Sequence, residues 1–337
     1  MSAKKHFINF LATAFWLAIP VLVYRFVPGY ARFESTGIND LLLAGYLGYL
    51  LFGFPALLLY ARKYPDRGTD GKSVVALRFL MSVPTRAFLK IRDTSQSFFC
   101  DEKTRVAFLA IIVKLFYFPI MLVGVLSTGY SIIYFSNNPP SLGQVREIYY
   151  LGWSLLIFLD TSIFAFAYLF ESKFLNNEIK SVEPTLLGWA AALATYFPFN
   201  VAVYEAWAVA IPSLPLPFFY RGYIFGITCA VIALIFWVVY VWASFSLGYK
   251  AGNLVNRGVV SRGPYAYIRH PAYVAKNLAW LFALLPVISN GKALAIWGLT
   301  LGIYYLRAVT EERHLSRDPE YVHYCNMVPN RFIPGIY

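Results

Sequence analysis

The sequence predicts an all-α, polytopic membrane fold with about eight spanning helices. Three observations carry that expectation. Apolar residues make up 59% of the 337-residue chain and charged residues only 14%, against about 25% charged in a soluble domain. Mean hydropathy is +0.56, and the apolar residues gather into runs close to the roughly 20 residues that cross a hydrocarbon core. Turn-forming residues separate the runs, at Pro28-Gly29, Asn137-Asn138-Pro139-Pro140, Pro212 to Pro217 and Ser289-Asn290-Gly291.

In chain order the spans are expected over 8–28, 40–60, 106–128, 148–171, 185–210, 219–246, 273–289 and 292–308. The first follows Lys4-Lys5-His6 and begins like a signal peptide. It runs on through Phe26 without a small-x-small cleavage site, so it is read as an uncleaved span. Between spans two and three, segment 61–105 mixes Val74, Val75, Leu77, Phe79, Leu80, Phe88, Leu89 and Ile91 with Arg78, Arg86, Lys90 and Arg92. That mixture fits one or two helices lying in the membrane interface, and it also fits a solvated basic loop. Two regions follow: 1–239, transmembrane with this basic segment, and 240–337, the last helical hairpin with a polar tail.

The net charge of +12 does not point to nucleic acid, because the cations sit in the loops between apolar runs. With the N-terminus inside, the inner segments hold Lys4, Lys5, ten cations from Arg62 to Arg105, Lys173, Lys180, Lys250, Arg257, Arg262, Arg269, Arg313, Arg317 and Arg331. The outer loops hold Arg32 and Arg146. This asymmetry puts both termini in the cytoplasm, and an even number of spans agrees. Cys100, Cys229 and Cys325 are odd in number and form no Cys-x-x-Cys, so neither a disulfide framework nor a zinc site is expected. Glu311-Glu312-Arg313-His314 has the wrong order for His-Glu-x-x-His, and Gly-x-Gly-x-x-Gly and the P-loop are absent. No metal is expected.

The chemistry-bearing residues gather at the two ends of the last hairpin. In Gly258 to Tyr273, the residue before Pro271 avoids helical dihedrals and Pro favours the first helical position. His270 therefore sits at the start of span seven, where free N–H groups suit an anion, and Arg269 adds a full charge. Tyr304, Arg307 and Glu311 share a face of span eight at spacings of three and four, with Glu312 about 100° round the helix. Each cluster alone has a plain reading, as interface anchors or as an Arg307–Glu311 ion pair. The hairpin returns both to one surface, which favours a site for a charged cofactor. The tail Asp318 to Pro334 is aromatic and basic, begins with a short helix, and is placed to fold over the hairpin mouth. Inside the apolar runs, Lys114 and Asp160 stand at depths differing by roughly 5 Å. They suit a structural ion pair, or a seat for a lipid headgroup or polar substrate. Glu205 lies nearer the outer surface.

Gly263-Pro264-Tyr265, Arg269-His270-Pro271-x-Tyr273, Glu311-Glu312, Tyr321-x-x-Tyr324, Val328 and Ile333-Pro334, over roughly 240–337, resemble the membrane methyltransferases that include isoprenylcysteine carboxyl and phospholipid methyltransferases. The resemblance implies an S-adenosylmethionine-dependent methyltransferase, with the cofactor at the cytoplasmic side of the final hairpin. It implies a membrane lipid or lipidated acceptor bearing a carboxylate, phosphate or amine. It makes Arg269 and Arg307 the catalytic arginines, and Gly263, Tyr265, His270, Pro271, Tyr273, Glu311 and Glu312 the cofactor contacts. Lys276, Asn277, Lys114 and Asp160 are the candidate substrate residues. Ala275-Lys276-Asn277 departs from the family, which has a small, Gly-containing stretch there. The ending Tyr324-Cys325-x-x-Val328-Pro329-x-Arg331-x-x-Pro334-x-Ile336-Tyr337 also resembles membrane sterol reductases, which use NADPH. A non-catalytic lipid-binding protein is the third reading.

Overall fold

The computed structural model describes residues 3–63, 71–92, 101–141, 144–172, 174–210, 223–286 and 291–335. The expected turn at 212–217, the corner at Ser289-Asn290 and part of the basic segment 61–105 lie outside them. The fold is all-α. Among the described residues six helices are long and apolar enough to cross a membrane, and the chain is a multi-pass integral membrane protein. By contact the chain divides into two compact units, Met1–Leu126 and Ser127–Tyr337.

The first unit contains helix α1 (Ala3–Phe26), α2 (Ile38–Lys63), α3 (Lys72–Arg92) and the start of α4 (Glu102–Asn137). Between α1 and α2, a 3-10 turn over Pro28–Thr36 ends at Gly37, whose φ of 72° a side chain would resist. Segment 72–92 takes the helical form. It buries Val74, Ala76 and Phe79, with Ala76 packed against Trp16 of α1 and Ile111 of α4. The Trp16 indole donates to the Ser73 carbonyl at 3.0 Å. Near the other end of α1, Tyr24 packs with Ile38 and Leu42 of α2.

The second unit holds α5 (Val145–Leu169), α6 (Leu186–Leu193), α7 (Val201–Ala210), α8 (Tyr223–Leu247), α9 (Pro271–Leu284), α10 (Gly291–Leu315) and α11 (Pro319–Met327). Its core joins Trp237, Tyr240 and Val241 of α8 to Ala275 and Ala279 of α9, with Trp153, Leu156 and Ile157 of α5 around them. Ala275 and Ala279 lie one helical turn apart, and two methyl-sized residues let α8 approach closely. The two-strand ribbon β1 (Ser181–Val182) and β2 (Val255–Asn256) pairs Ser181 with Asn256 and Val182 with Val255, antiparallel. It ties the segment after α5 to the loop before α9. The region expected at 240–337 thus shares its compact unit with 127–239.

Two of the expected spans differ from a simple crossing. The run 185–210 breaks into α6 and α7, with turns over 194–200. Pro198 lies in this stretch and lacks the N–H that an unbroken helix uses. Irregular backbone at membrane depth is tolerated where it is enclosed in protein or lines a cavity, and Thr195 and Tyr196 of this break reach the site described below. The span expected over 273–289 forms the 14-residue α9, about 21 Å long at 1.5 Å per residue. That is short of a hydrocarbon core of about 30 Å. Helix α10, in contrast, continues past residue 308 to Leu315, so Glu311 and Glu312 are helical.

Candidate functional site

A single cleft in the second unit gathers most of the residues singled out in the sequence. Its cavity volume is about 140 Å³, and it opens to the outside. Its walls come from α5, α8, α9, α10, α11, the break at Tyr196 and the loop 250–260. Tyr265, Arg269, His270, Tyr273, Lys276, Arg307 and Glu311 all line it.

The loop ends where Pro271 starts α9. His270 has φ and ψ of −124° and 54°, outside the helical region that a residue before proline avoids. The backbone N–H groups of Arg269 and His270, which α9 leaves unpaired, donate to the carbonyls of Asn330 and Arg331 at 3.0 and 3.1 Å. The C-terminal tail is therefore docked along the start of α9, where the sequence placed it.

The two adjacent glutamates divide the work. Glu312 is a buried hub. Its carboxylate accepts from Arg269 Nε at 2.8 Å, from Arg331 Nη2 at 2.7 Å, and pairs with His270 Nε2 at 3.0 Å. Arg269 also donates to the carbonyls of Val328 and Pro329 at 3.0 and 2.7 Å. Burial works against the Arg269 charge, but Glu312 outweighs it and raises the guanidinium pKa above its ordinary value. Glu311 instead faces the cleft, where its Oε2 accepts from the Tyr273 hydroxyl at 2.5 Å. The Tyr273 ring stacks on His270, centroids 5.2 Å apart and planes 8° from parallel.

Arg307 is buried at the inner wall. Nη1 donates to Thr195 Oγ1 at 3.0 Å and Nη2 to Asn253 Oδ1. Its guanidinium lies over Tyr273, Tyr196 and Tyr304, at 5.1, 5.7 and 6.0 Å from the ring centroids. Thr195, Tyr196 and Asn253 were not anticipated from sequence. The one signal for the first two was Pro198 inside an apolar run.

Three of the candidate cofactor contacts, Gly263, Pro271 and the buried Glu312, do not line the cleft. Gly263 has φ of 61°, and a Cβ there would stand 2.2 Å from Ser246 Oγ. Its bare backbone lets the turn Gly263–Ala266 lie against α8. Pro271 is buried at the first position of α9. Asn277 is buried too, donating to the Tyr273 carbonyl at 2.8 Å. Asp160 does not line the cleft but accepts from two α8 residues that do, Tyr240 at 2.9 Å and Ser244 at 2.5 Å. Lys114 is half-buried on α4 in the first unit. The paired-charge reading of Lys114 and Asp160 remains a proposal.

The tail closes the cleft on the loop side. Asp318 caps α11 through Glu320 N–H at 3.1 Å and accepts from Asn256 Nδ2 at 2.9 Å. Burial opposes its charge, yet these hydrogen bonds and Lys180 hold its pKa below the usual carboxylate range. Tyr324 donates to the Tyr265 carbonyl at 2.7 Å. Burial pushes the phenols of Tyr265, Tyr321 and Tyr324 well above their ordinary pKa, so all three stay neutral at physiological pH.

Residues 224–317, from α8 through the loop and hairpin, match the family model of the isoprenylcysteine carboxyl methyltransferase (ICMT) family. This segment is ICMT-like. The ICMT-like segment supplies Tyr240, Tyr265, Arg269, His270, Tyr273, Lys276, Arg307 and Glu311 to the cleft, so the match and the cavity coincide. It stops before α11 and the tail, whose ending carried the likeness to reductases. No curated protein and no solved structure gives a significant match to the chain.

Proposed function

We propose that the protein is an S-adenosylmethionine-dependent methyltransferase acting on a membrane lipid or lipidated acceptor, with its cleft at the cytoplasmic face. The observation that carries this reading is the convergence of Tyr273–Glu311 and Arg307 in one cleft inside the ICMT-like segment. The donor set suits the cofactor. Glu311 accepts a hydrogen bond from Tyr273 and has room to accept others, from ribose hydroxyls or an ammonium. Tyr265 and the stacked His270–Tyr273 pair offer flat walls to a purine. Bound S-adenosylmethionine supplies a methyl group on a sulfonium, primed for direct displacement by an acceptor oxygen or nitrogen.

The residues of the chain then need chiefly to align the partners and keep water out. Thr195 and Asn253 fix the Arg307 guanidinium in plane, and three tyrosine rings shield it. A cation so placed can hold an anionic acceptor or the cofactor carboxylate at two points. Glu312 acts one layer back and, through Arg269 at the cleft wall and Arg331, clamps the tail. An amine acceptor would require a base, and Glu311 is the carboxylate facing the cleft.

The test is transfer of label from methyl-labelled S-adenosylmethionine to a membrane lipid extract and to an N-acetylated S-prenylcysteine, by protein purified in detergent. Label is expected in the organic phase. No transfer to either, with NADPH oxidised in the presence of a sterol extract, would replace this reading by the reductase.

A further inference from the structure

We infer that Lys276 is a specificity-determining residue, whose ammonium receives an anionic oxygen of the acceptor at the deep end of the cleft. This rests on the methyltransferase reading and narrows its acceptor to a carboxylate or phosphate rather than an amine.

Lys276 lies on α9 three residues beyond Tyr273, at the point where the helix turns from the polar loop toward the apolar core of Trp237, Tyr240 and Ala279. Its side chain lines the cleft. Nζ sits over the Tyr240 and Trp280 rings, 5.1 and 5.2 Å from their centroids. Ring faces hold a cation in place and leave its N–H groups unspent. Among the described residues the ammonium has no hydrogen-bond acceptor and no carboxylate within ion-pair distance. Asp160 acts on it from beyond ion-pair distance as an electrostatic attraction. Both Asp160 oxygens are taken by Tyr240 and Ser244, so Asp160 biases the site toward keeping a cation without quenching its donors.

Charge inside an apolar span is costly and by default marks function. An ammonium held there by aromatic rings, open to the cavity and without a contacting anion, is matched by an anion from the ligand. That anion belongs to the acceptor. The groups suited to the cofactor, Glu311, Tyr265 and His270, stand at the loop end, while Lys276 is one turn deeper along α9, about 4.5 Å at 1.5 Å per residue. A lipid headgroup entering from the apolar side meets Lys276 first. A protonated amine would meet like charge and be rejected.

The experiment measures binding to full-length protein in detergent by thermal stabilisation, for wild type, Lys276→Met and Lys276→Arg. The probes are S-adenosylhomocysteine, N-acetyl-S-farnesylcysteine, its uncharged carboxamide, and farnesyl monophosphate. Wild type is expected to bind the acid at least tenfold more tightly than the carboxamide. Lys276→Met should lose that preference and Lys276→Arg should keep most of it, with S-adenosylhomocysteine bound alike by all three, which also shows that the variants fold. The monophosphate arm tells which anionic oxygen fits better. Equal binding of acid and carboxamide by wild type, or an undiminished preference in Lys276→Met, would overturn the assignment to Lys276. So would a selective loss of S-adenosylhomocysteine in Lys276→Met, which would give the lysine to the cofactor instead. Failure of wild type to bind S-adenosylhomocysteine falls on the methyltransferase reading, whatever the lipid probes do.

Discussion

Replacing Glu312 with alanine is expected to destabilise the protein by about 3–5 kcal/mol, the range for removing one partner of a buried ion pair. The Glu312 side chain is only 10% exposed and its carboxylate is shared by Arg269, Arg331 and His270. Its loss leaves the cations it served without that carboxylate, in a region with little water to replace it. The damage should be local in form. Arg331 and Arg269 join the tail to the start of α9, so trypsin should release the peptide after Arg331 much faster than in wild type. Thermal unfolding in detergent and the rate of that cleavage check the two consequences separately. Glu312→Gln keeps the volume but not the charge and should fall between. An alanine variant as stable and as protease-resistant as wild type would mean that the three contacts add nothing to the fold.

The second large effect is expected at Arg307. Arg307→Lys keeps a positive charge, but an ammonium cannot donate in plane to both Thr195 and Asn253 or lie flat among Tyr196, Tyr273 and Tyr304. Methyl transfer should drop at least about tenfold, roughly 1.4 kcal/mol of transition-state stabilisation. Arg307→Met removes the charge and should cost about a hundredfold or more, the scale seen when a preorganised polar group is lost from an active site. Initial rates with saturating cofactor, alongside thermal stability, separate a catalytic loss from misfolding. Near-normal turnover by Arg307→Lys would reduce this arginine to a structural member of the wall.

How much of this was legible in the sequence follows from what each signal measures. Hydropathy marks apolar length, and it located α1, α2, α4, α5, α8 and α10 well. It is blind to a break short enough to be averaged away. The run 185–210 reads as one span because the seven residues between α6 and α7, with Phe197 and Phe199 among the polar ones, are outweighed by the apolar helices on either side. Only Pro198 hinted at the turns that carry Thr195 and Tyr196 to Arg307. Helical spacing brought Arg307 and Glu311 to one face, and the Arg269-His270-Pro271 run fixed the start of α9. Adjacent Glu311 and Glu312 are chemically identical in sequence. Which one faces the cleft depends on partners 38 to 43 positions away, Tyr273 for the first, Arg269 and His270 for the second, and no local pattern encodes that. Gly263 was read with the cofactor because it stands in the motif, while its tight contact with Ser246 belongs to packing.

In the proposed reaction the cleft of the second unit binds S-adenosylmethionine through Glu311. The most direct measurement is thermal stabilisation of purified wild-type and Glu311→Ala protein by S-adenosylhomocysteine and by NADPH. A ligand present at 100 times its Kd stabilises by about 2.7 kcal/mol, so a true site is easily seen. Saturable stabilisation of wild type by S-adenosylhomocysteine, its loss in Glu311→Ala, and no response to NADPH is the expected result. Stabilisation by NADPH alone, or S-adenosylhomocysteine binding untouched by the Glu311 change, would contradict the account.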